Sequence, residues 1–170
     1  MRSCRWCGVR LDVLVRSDAR FCSTRCRVAS HRAGRSLPLD LTDRRAWSRR
    51  DGKRPIRVNG LPASSTNPAT WCTYAEAVAS TAGDGLGIML GGGLGCYDLD
   101  HCLSGDVVAP WAREALEGIP ERVVWVERSM SGTGLHVFVE APEVRGYRRR
   151  GVERYTRDRF IAVTGVRFVL

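Results

Sequence analysis

The sequence predicts an α+β chain in which a small metal-nucleated module precedes a larger domain, and three observations predict it. Four of the seven cysteines fall in the first 26 residues as C-x2-C-x14-C-x3-C. Beyond them, short β-prone runs alternate with turn residues and a few short helical patterns. Charge is divided in the same way: residues 1–57 carry 16 Lys+Arg against 5 Asp, and residues 58–170 carry 11 against 13 Asp+Glu.

Cys4 and Cys7 sit on a tight CRWC knuckle, while FCSTRC sets Cys22 and Cys26 one helical turn apart. Two short thiol pairs separated by a loop are what a tetrahedral Zn²⁺ site needs. Disulfides are the competing reading, disfavoured in a chain without a secretion signal. His31 is a further candidate ligand or a phosphate contact. Four thiolates leave no open position for catalysis by zinc. The phrase RFCSTRCRVASHR resembles small zinc-ribbon modules in which a Cys-bearing turn leads into an Arg-rich helix.

The stretch AGRSLPLDLTD reads as a linker, giving a module at 1–35, a linker at 36–43 and a larger domain at 44–170. A chain of 170 residues with 44% hydrophobic content has room for one sizeable core beside such a module. No apolar run approaches the roughly 18 residues of a membrane span, and the N-terminus lacks a signal peptide's apolar stretch. A cytoplasmic protein without a membrane partner is therefore expected. A basic segment next to a near-neutral domain suits a nucleic-acid binder, and a solvated charged face is the alternative.

In the larger domain, RAWSRR and KRPIRV flank Asp51-Gly52 as a hairpin, and a turn follows at Asn59-Gly60. Thr73 to Glu76 form a capping box for a helix through about Ser80. LGIML and LGCYDL read as a hairpin across Gly91-Gly92-Gly93. That glycine run leads into a strand, so it is no dinucleotide fingerprint. A helix at about 109–117, strands at 123–127 and 135–141, a basic turn RGYRRRG and a last hairpin around Arg157-Asp158 complete the chain.

Asp98 and Asp100 are the first candidates for chemistry. Residues i and i+2 of a strand share a face, so the two carboxylates lie close together with Leu99 turned into the core. Such a pair suits Mg²⁺ or Mn²⁺; a solvated strand end is the alternative. His101 points the other way and reads as structural. The loop SMSGTG, with Ser129, Ser131, Gly132 and Gly134, can bring N–H and O–H donors to phosphate oxygens beside His136; an ordinary glycine turn is the alternative. Glu153 offers a third carboxylate, and Arg159 a guanidinium for a triphosphate.

The series NPATWCTYAEA, GCYDLDHC, SMSGTGLHVFV and VERYTRDRFIAVTG, over about residues 44 to 165, resembles the catalytic domain of phage and plasmid bifunctional primase-polymerases, members of the archaeo-eukaryotic primase superfamily. The resemblance implies an RNA-recognition-like (RRM-like) antiparallel-sheet palm packed with a second small α/β lobe. It implies that Asp98, Asp100 and Glu153 hold Mg²⁺ or Mn²⁺, that His136 contacts the incoming nucleotide's phosphates, and that Arg159 binds the triphosphate.

The activity so implied is primer synthesis or extension on single-stranded DNA by two-metal nucleotidyl transfer from nucleoside triphosphates, in phage or plasmid replication within a bacterial cytoplasm. No G-x-x-x-x-G-K-[ST] loop occurs, so a replicative helicase is expected as a separate partner. The alternative is a non-catalytic single-stranded DNA or origin binder with a degenerate palm. A replication-initiator nuclease fits less well, because the three histidines are dispersed.

Overall fold

Ser23 opens the first helix: its hydroxyl accepts from the Cys26 amide at 3.2 Å, and α1 runs over Thr24–Ala33. The structure, a computed structural model, describes residues 4, 9–11, 19–33 and 37–170. It divides into two compact units, Met1–Ser36 and Leu37–Leu170. In the first, the Cys4 amide donates to the Val9 carbonyl at 2.8 Å, and Cys4 and Leu11 are buried.

The second unit begins inside the segment expected as a linker. Leu39–Thr42 forms a helical turn, α2, whose Leu41 is fully buried and whose Leu41 carbonyl accepts from Trp47 Nε1 at 2.9 Å. Strands β1 (Trp47–Asp51) and β2 (Arg54–Ile56) then pair antiparallel around Gly52, whose φ of +56° suits the Asp-Gly turn. The Thr73/Glu76 capping box forms as expected and starts α3 (Tyr74–Ala79).

Strands β3 (Gly85–Met89) and β4 (Leu94–Leu99) follow, then the small ribbon β5 (Leu103–Ser104) and β6 (Val107–Val108), and α4 (Pro110–Glu117). The chain continues through β7 (Arg122–Arg128), β8 (Leu135–Glu140), β9 (Tyr147–Arg149), β10 (Val152–Tyr155) and β11 (Phe160–Val163). The architecture is mixed α/β with antiparallel sheets: one has the order β11-β3-β1-β2 and the other β7-β8-β4-β10-β9.

Two expected hairpins are corrected by this topology. β3 pairs with β1 and β11 while β4 pairs with β8 and β10, so the glycine run carries the chain from one sheet to the other. The turn at Arg157-Asp158 does the same between β10 and β11. The two crossings run side by side: Phe160 faces Met89 in one sheet, Tyr155 faces Cys96 in the other, and the Leu90 amide donates to the Arg159 carbonyl between them. Gly91, Gly92 and Gly93 all have positive φ, which lets the strand switch sheets within three residues. The basic turn at 145–151 is also revised, since its centre forms the edge strand β9 paired with β10.

One core cluster joins the sheets through Trp47, Ile88 and Ile161 on one side and Cys96, Trp125 and Phe138 on the other. A second cluster seats α4, through Ala112, on Leu99, Val126, Leu135 and Val137. Fully burying each large apolar chain is worth about 1.5–3 kcal/mol. The five-stranded sheet is thus fixed from both faces, and its polar residues at the Asp98 end are held on a rigid platform.

Candidate active site

Five side chains form a single row across the five-stranded sheet. Register places Glu127 of β7 beside His136 of β8, His136 beside Asp98 of β4, Asp98 beside Glu153 of β10, and Glu153 beside Arg148 of β9. Cross-strand partners project from the same face, so five strands supply one row in which Asp98 and Glu153 lie between His136 and Arg148, with Glu127 beyond His136.

At the centre, Asp98 is held in part-buried surroundings, and its Oδ1 is buried without a hydrogen-bond partner. His136 Nε2 stands 3.9 Å from that oxygen. Burial pushes the Asp98 carboxyl up; Asp100 and Glu153 push the same way, and His136 and Arg159 oppose them. An orphaned buried carboxylate oxygen among further acids is the environment a hard cation stabilises. The donor set fits Mg²⁺ or Mn²⁺.

Asp100 lies one residue past the end of β4, in an exposed turn tied down by its amide, which donates to the Gly151 carbonyl at 3.2 Å. Glu153 is buried and already engaged: Arg148 Nε donates to Oε1 at 2.8 Å and the Tyr155 hydroxyl to Oε2 at 2.5 Å. Arg159 lies half-exposed beside it, with Nη2 3.9 Å from Glu153 Oε2 and its guanidinium 4.5 Å over the Tyr155 ring. Because Glu153 turns toward these cations and Asp100 toward solvent, the three acids do not bring three oxygens within 4.8 Å of one another among the described residues.

The Ser/Gly loop joins β7 to β8. Its hydroxyls form a chain, Ser129 to Ser131 at 3.0 Å and Ser131 to Thr133 at 3.0 Å. Gly134 packs so closely that an added Cβ would lie 2.8 Å from the Leu99 carbonyl oxygen, which keeps the loop against the acid-bearing end of β4. His101 is exposed at a φ of +50° and reaches Thr133 Oγ1 at 3.4 Å, rather than packing as a structural residue. A cleft of about 440 Å³ in the larger unit lies at the strand crossings, near Arg44, Trp71 and Arg157, and not over the acids.

In the first unit the sulfurs of Cys4, Cys22 and Cys26 lie within 4.8 Å of one another, with Cys22 and Cys26 3.5 Å apart. Cys7, the fourth expected ligand, lies outside the described residues. Cys72, Cys96 and Cys102 are buried in the larger unit.

A profile of the family described as "Bifunctional DNA primase/polymerase, N-terminal" (Prim-Pol) matches residues 27–163, a span that holds the whole row. The chain belongs to the Prim-Pol family. A curated relative, the DNA primase-polymerase of Nitratiruptor phage NrS-1, is 34% identical over 135 residues, covering 70% of this chain and 18% of that protein. The chain therefore spans less than a fifth of the length of the relative it matches.

Two members of the Prim-Pol row escaped the sequence reading. Glu127 has no exposed surface, and its oxygens accept from His136 Nδ1 at 3.2 Å, the Thr164 and Gly165 amides at 3.0 Å each, and Trp125 Nε1 at 3.1 Å. In sequence it was the last letter of an apolar strand, and only its being a carboxylate there was a signal. Arg148 was folded into a basic turn, and nothing local marks it as facing Glu153.

Among the described residues no helix is long and apolar enough to cross a membrane.

Proposed function

We propose that this Prim-Pol chain is a nucleotidyl-transfer domain that makes or extends primers on single-stranded DNA from nucleoside triphosphates in phage or plasmid replication. The observation that carries the reading is the row itself, with the unpartnered buried Oδ1 of Asp98 between His136 and Glu153. A binding protein gains nothing from burying like charges side by side.

In this reading Asp98, Asp100 and Glu153 hold Mg²⁺ or Mn²⁺. The bound cation supplies charge neutralisation at the triphosphate and acidifies the attacking hydroxyl. His136 and Arg159 bind phosphate oxygens from either side of the acids, and the hydroxyls of Ser129 and Ser131 with the backbone at Gly132 and Gly134 extend the anion-binding surface. The reaction is attack of a primer 3′-hydroxyl on the α-phosphorus: a P–O bond forms, the bond to pyrophosphate breaks, and the hydroxyl proton leaves to solvent. Glu153 must exchange its contacts with Arg148 and Tyr155 to join the site, which frees Arg148 to meet the arriving anion.

The order β10-β4-β8-β7, with α4 linking β4 to β7, supports an RRM-like palm, the other sheet serving as the second lobe. The three converging sulfurs support a structural zinc held by Cys4, Cys22 and Cys26, with Cys7 as the fourth ligand. A separate helicase and a bacterial cytoplasmic setting complete the proposal.

The test is direct. Protein, single-stranded DNA, labelled nucleotides and Mn²⁺ or Mg²⁺ yield extended products with the wild type, and the Asp98→Ala/Asp100→Ala protein yields none. Synthesis by that double variant at the wild-type rate overturns the reading.

A further inference from the structure

The arginines at 145–150 are a strongly charged patch, and only one of them belongs to the acid row. Arg145, Arg148, Arg149 and Arg150 are exposed, and the segment 144–151 contains no acid. Arg148 is tied to Glu153; among the described residues no carboxylate lies within 4.0 Å of Arg145, Arg149 or Arg150. The segment forms the outer edge of the five-stranded sheet, so its far side has no strand partner in the order β7-β8-β4-β10-β9.

An aromatic side chain adjoins this edge. Trp111 of α4 is 37% exposed, and its ring sits under the β9–β10 turn, where a Cβ on Gly151 would come within 3.2 Å of it. The same Gly151 holds the Asp100 amide through its carbonyl. Tyr147, 44% exposed, adds a second ring to the edge. Tyr147 and Arg149, as cross-strand partners of Arg154 and Val152, project on the α4 side of the sheet, the face opposite the acids, while Arg148 projects on the acid side. Arginines interleaved with exposed rings are what a single-stranded nucleic acid recognises: guanidinium groups take the phosphates and rings stack on bases.

We infer that the β9 edge and Trp111 form a track for single-stranded DNA that passes from the α4 face round the sheet edge toward the acid row, with Arg145, Arg149 and Arg150 on its phosphates and Trp111 on a base. The inference rests on the nucleotidyl-transfer reading for its purpose but not for its measurement. It places a template contact on the sheet edge of the larger unit.

The test measures binding of a labelled oligothymidylate in metal-free buffer without nucleotide, across a salt series. The Arg145→Ala/Arg149→Ala/Arg150→Asn protein keeps Arg148 and replaces Arg150, at φ +47°, by a residue that tolerates that conformation. Its plot of log affinity against log salt becomes shallower by about 2, from roughly 0.7 per lost single-strand phosphate contact. A control with the same charge change elsewhere, Lys53→Ala/Arg54→Ala/Arg57→Ala, keeps the wild-type slope. Trp111→Ala weakens binding about tenfold at unchanged slope, and Trp111→Phe recovers most of it. An unmoved slope in the edge variant, or an equal loss in the control, overturns the inference. A wild type that synthesises no primer yet gives these binding results defeats only the catalytic reading; one that synthesises primers with an unmoved slope in the edge variant defeats only the track.

Discussion

His136 Nδ1 lies 3.2 Å from Oε1 of Glu127, a carboxylate with no exposed surface whose other partners are all N–H donors. A carboxylate so surrounded can only accept, so the Nδ1 facing it is a donor and the ring is fixed with Nε2 toward Asp98. Glu127 is thus a positioning residue that acts through His136. Glu127→Gln turns an amide N–H₂ against existing donors. It lowers kcat/KM for nucleotide about 10–100-fold while DNA binding stays at the wild-type level. Nitrogen NMR of the histidines provides the separate readout: the Nδ1-protonated pattern of His136 is lost in Glu127→Gln and kept in Glu127→Asp where the shorter acid still reaches.

Asp98 makes stability depend on pH and on metal. Its folded pKa stands above the ordinary 3.8, chiefly through burial. A carboxyl raised in this way weakens the fold as pH rises from its unfolded to its folded pKa, and the cost persists above that interval. In metal-free buffer at pH 7, Asp98→Asn therefore melts higher than wild type, by about 2–4 °C for each kcal/mol relieved in a chain of this size. The difference closes on acidification below the ordinary value. Mn²⁺ raises the wild-type melting temperature by mass action and leaves Asp98→Asn where it was. Scanning calorimetry at two pH values with and without Mn²⁺ checks all three statements; a wild type more stable than the variant at pH 7 without metal contradicts them.

What the sequence displayed was what depends on neighbours in the chain. The Asp51-Gly52 turn and the Thr73/Glu76 box are local, and each appears in the structure where the spacing put it, whereas the strand expected to carry both acids on one face ends at Leu99 and leaves Asp100 in the exposed turn beyond it. Long-range pairing was not legible. A glycine run between two apolar strands reads as a hairpin, and nothing within it says that β3 and β4 join different sheets. β9 was masked by its charge, which an edge strand tolerates because only one side is paired. Glu127 was hidden because its partners, at 136 and 164–165, come together only through register and the exit of β11.

The zinc proposed at the converging sulfurs of Cys4, Cys22 and Cys26 predicts a first unit that depends on metal. Protein purified without added metal carries close to one zinc per chain, Cys22→Ser and Cys26→Ser lose it, and chelation melts the first unit only. Cys96→Ala keeps the zinc, because Cys96 lies in the larger unit's core. Elemental analysis and circular dichroism check these outcomes. The boundary is testable in the same experiment. A chain starting at Leu37 folds, whereas one starting at Arg44 loses Leu37 and Leu41 from the core and the acceptor of Trp47 Nε1, and is destabilised by about 3–5 kcal/mol.

On the face of β4 and β10 opposite the acids, Arg154 Nη2 donates to Glu121 Oε1 at 2.6 Å, Arg154 Nε to the Tyr97 hydroxyl at 3.1 Å, and that hydroxyl to Glu121 Oε2 at 2.8 Å. Burial and then Glu121 push the Tyr97 phenol up to about 12, so it stays a donor. Burial works to raise the Glu121 carboxyl, but hydrogen bonds from Arg154 and Tyr97 prevail and hold it below its ordinary 4.5. An acid lowered in this way lends stability that is present above its unfolded pKa and is lost as pH falls through the folded one. Arg154→Met leaves the Glu121 charge without its cation, held by the Tyr97 hydroxyl, in a nearly closed site and costs about 3 kcal/mol at pH 7, with the gap to wild type narrowing below the ordinary carboxylate range. Since Arg154 faces away from Asp98 and Glu153, primer synthesis at a temperature where both proteins are folded stays near the wild-type rate. Denaturant unfolding at pH 7 and pH 3.5 paired with a synthesis assay checks the division, and a variant that keeps its stability but loses synthesis refutes it.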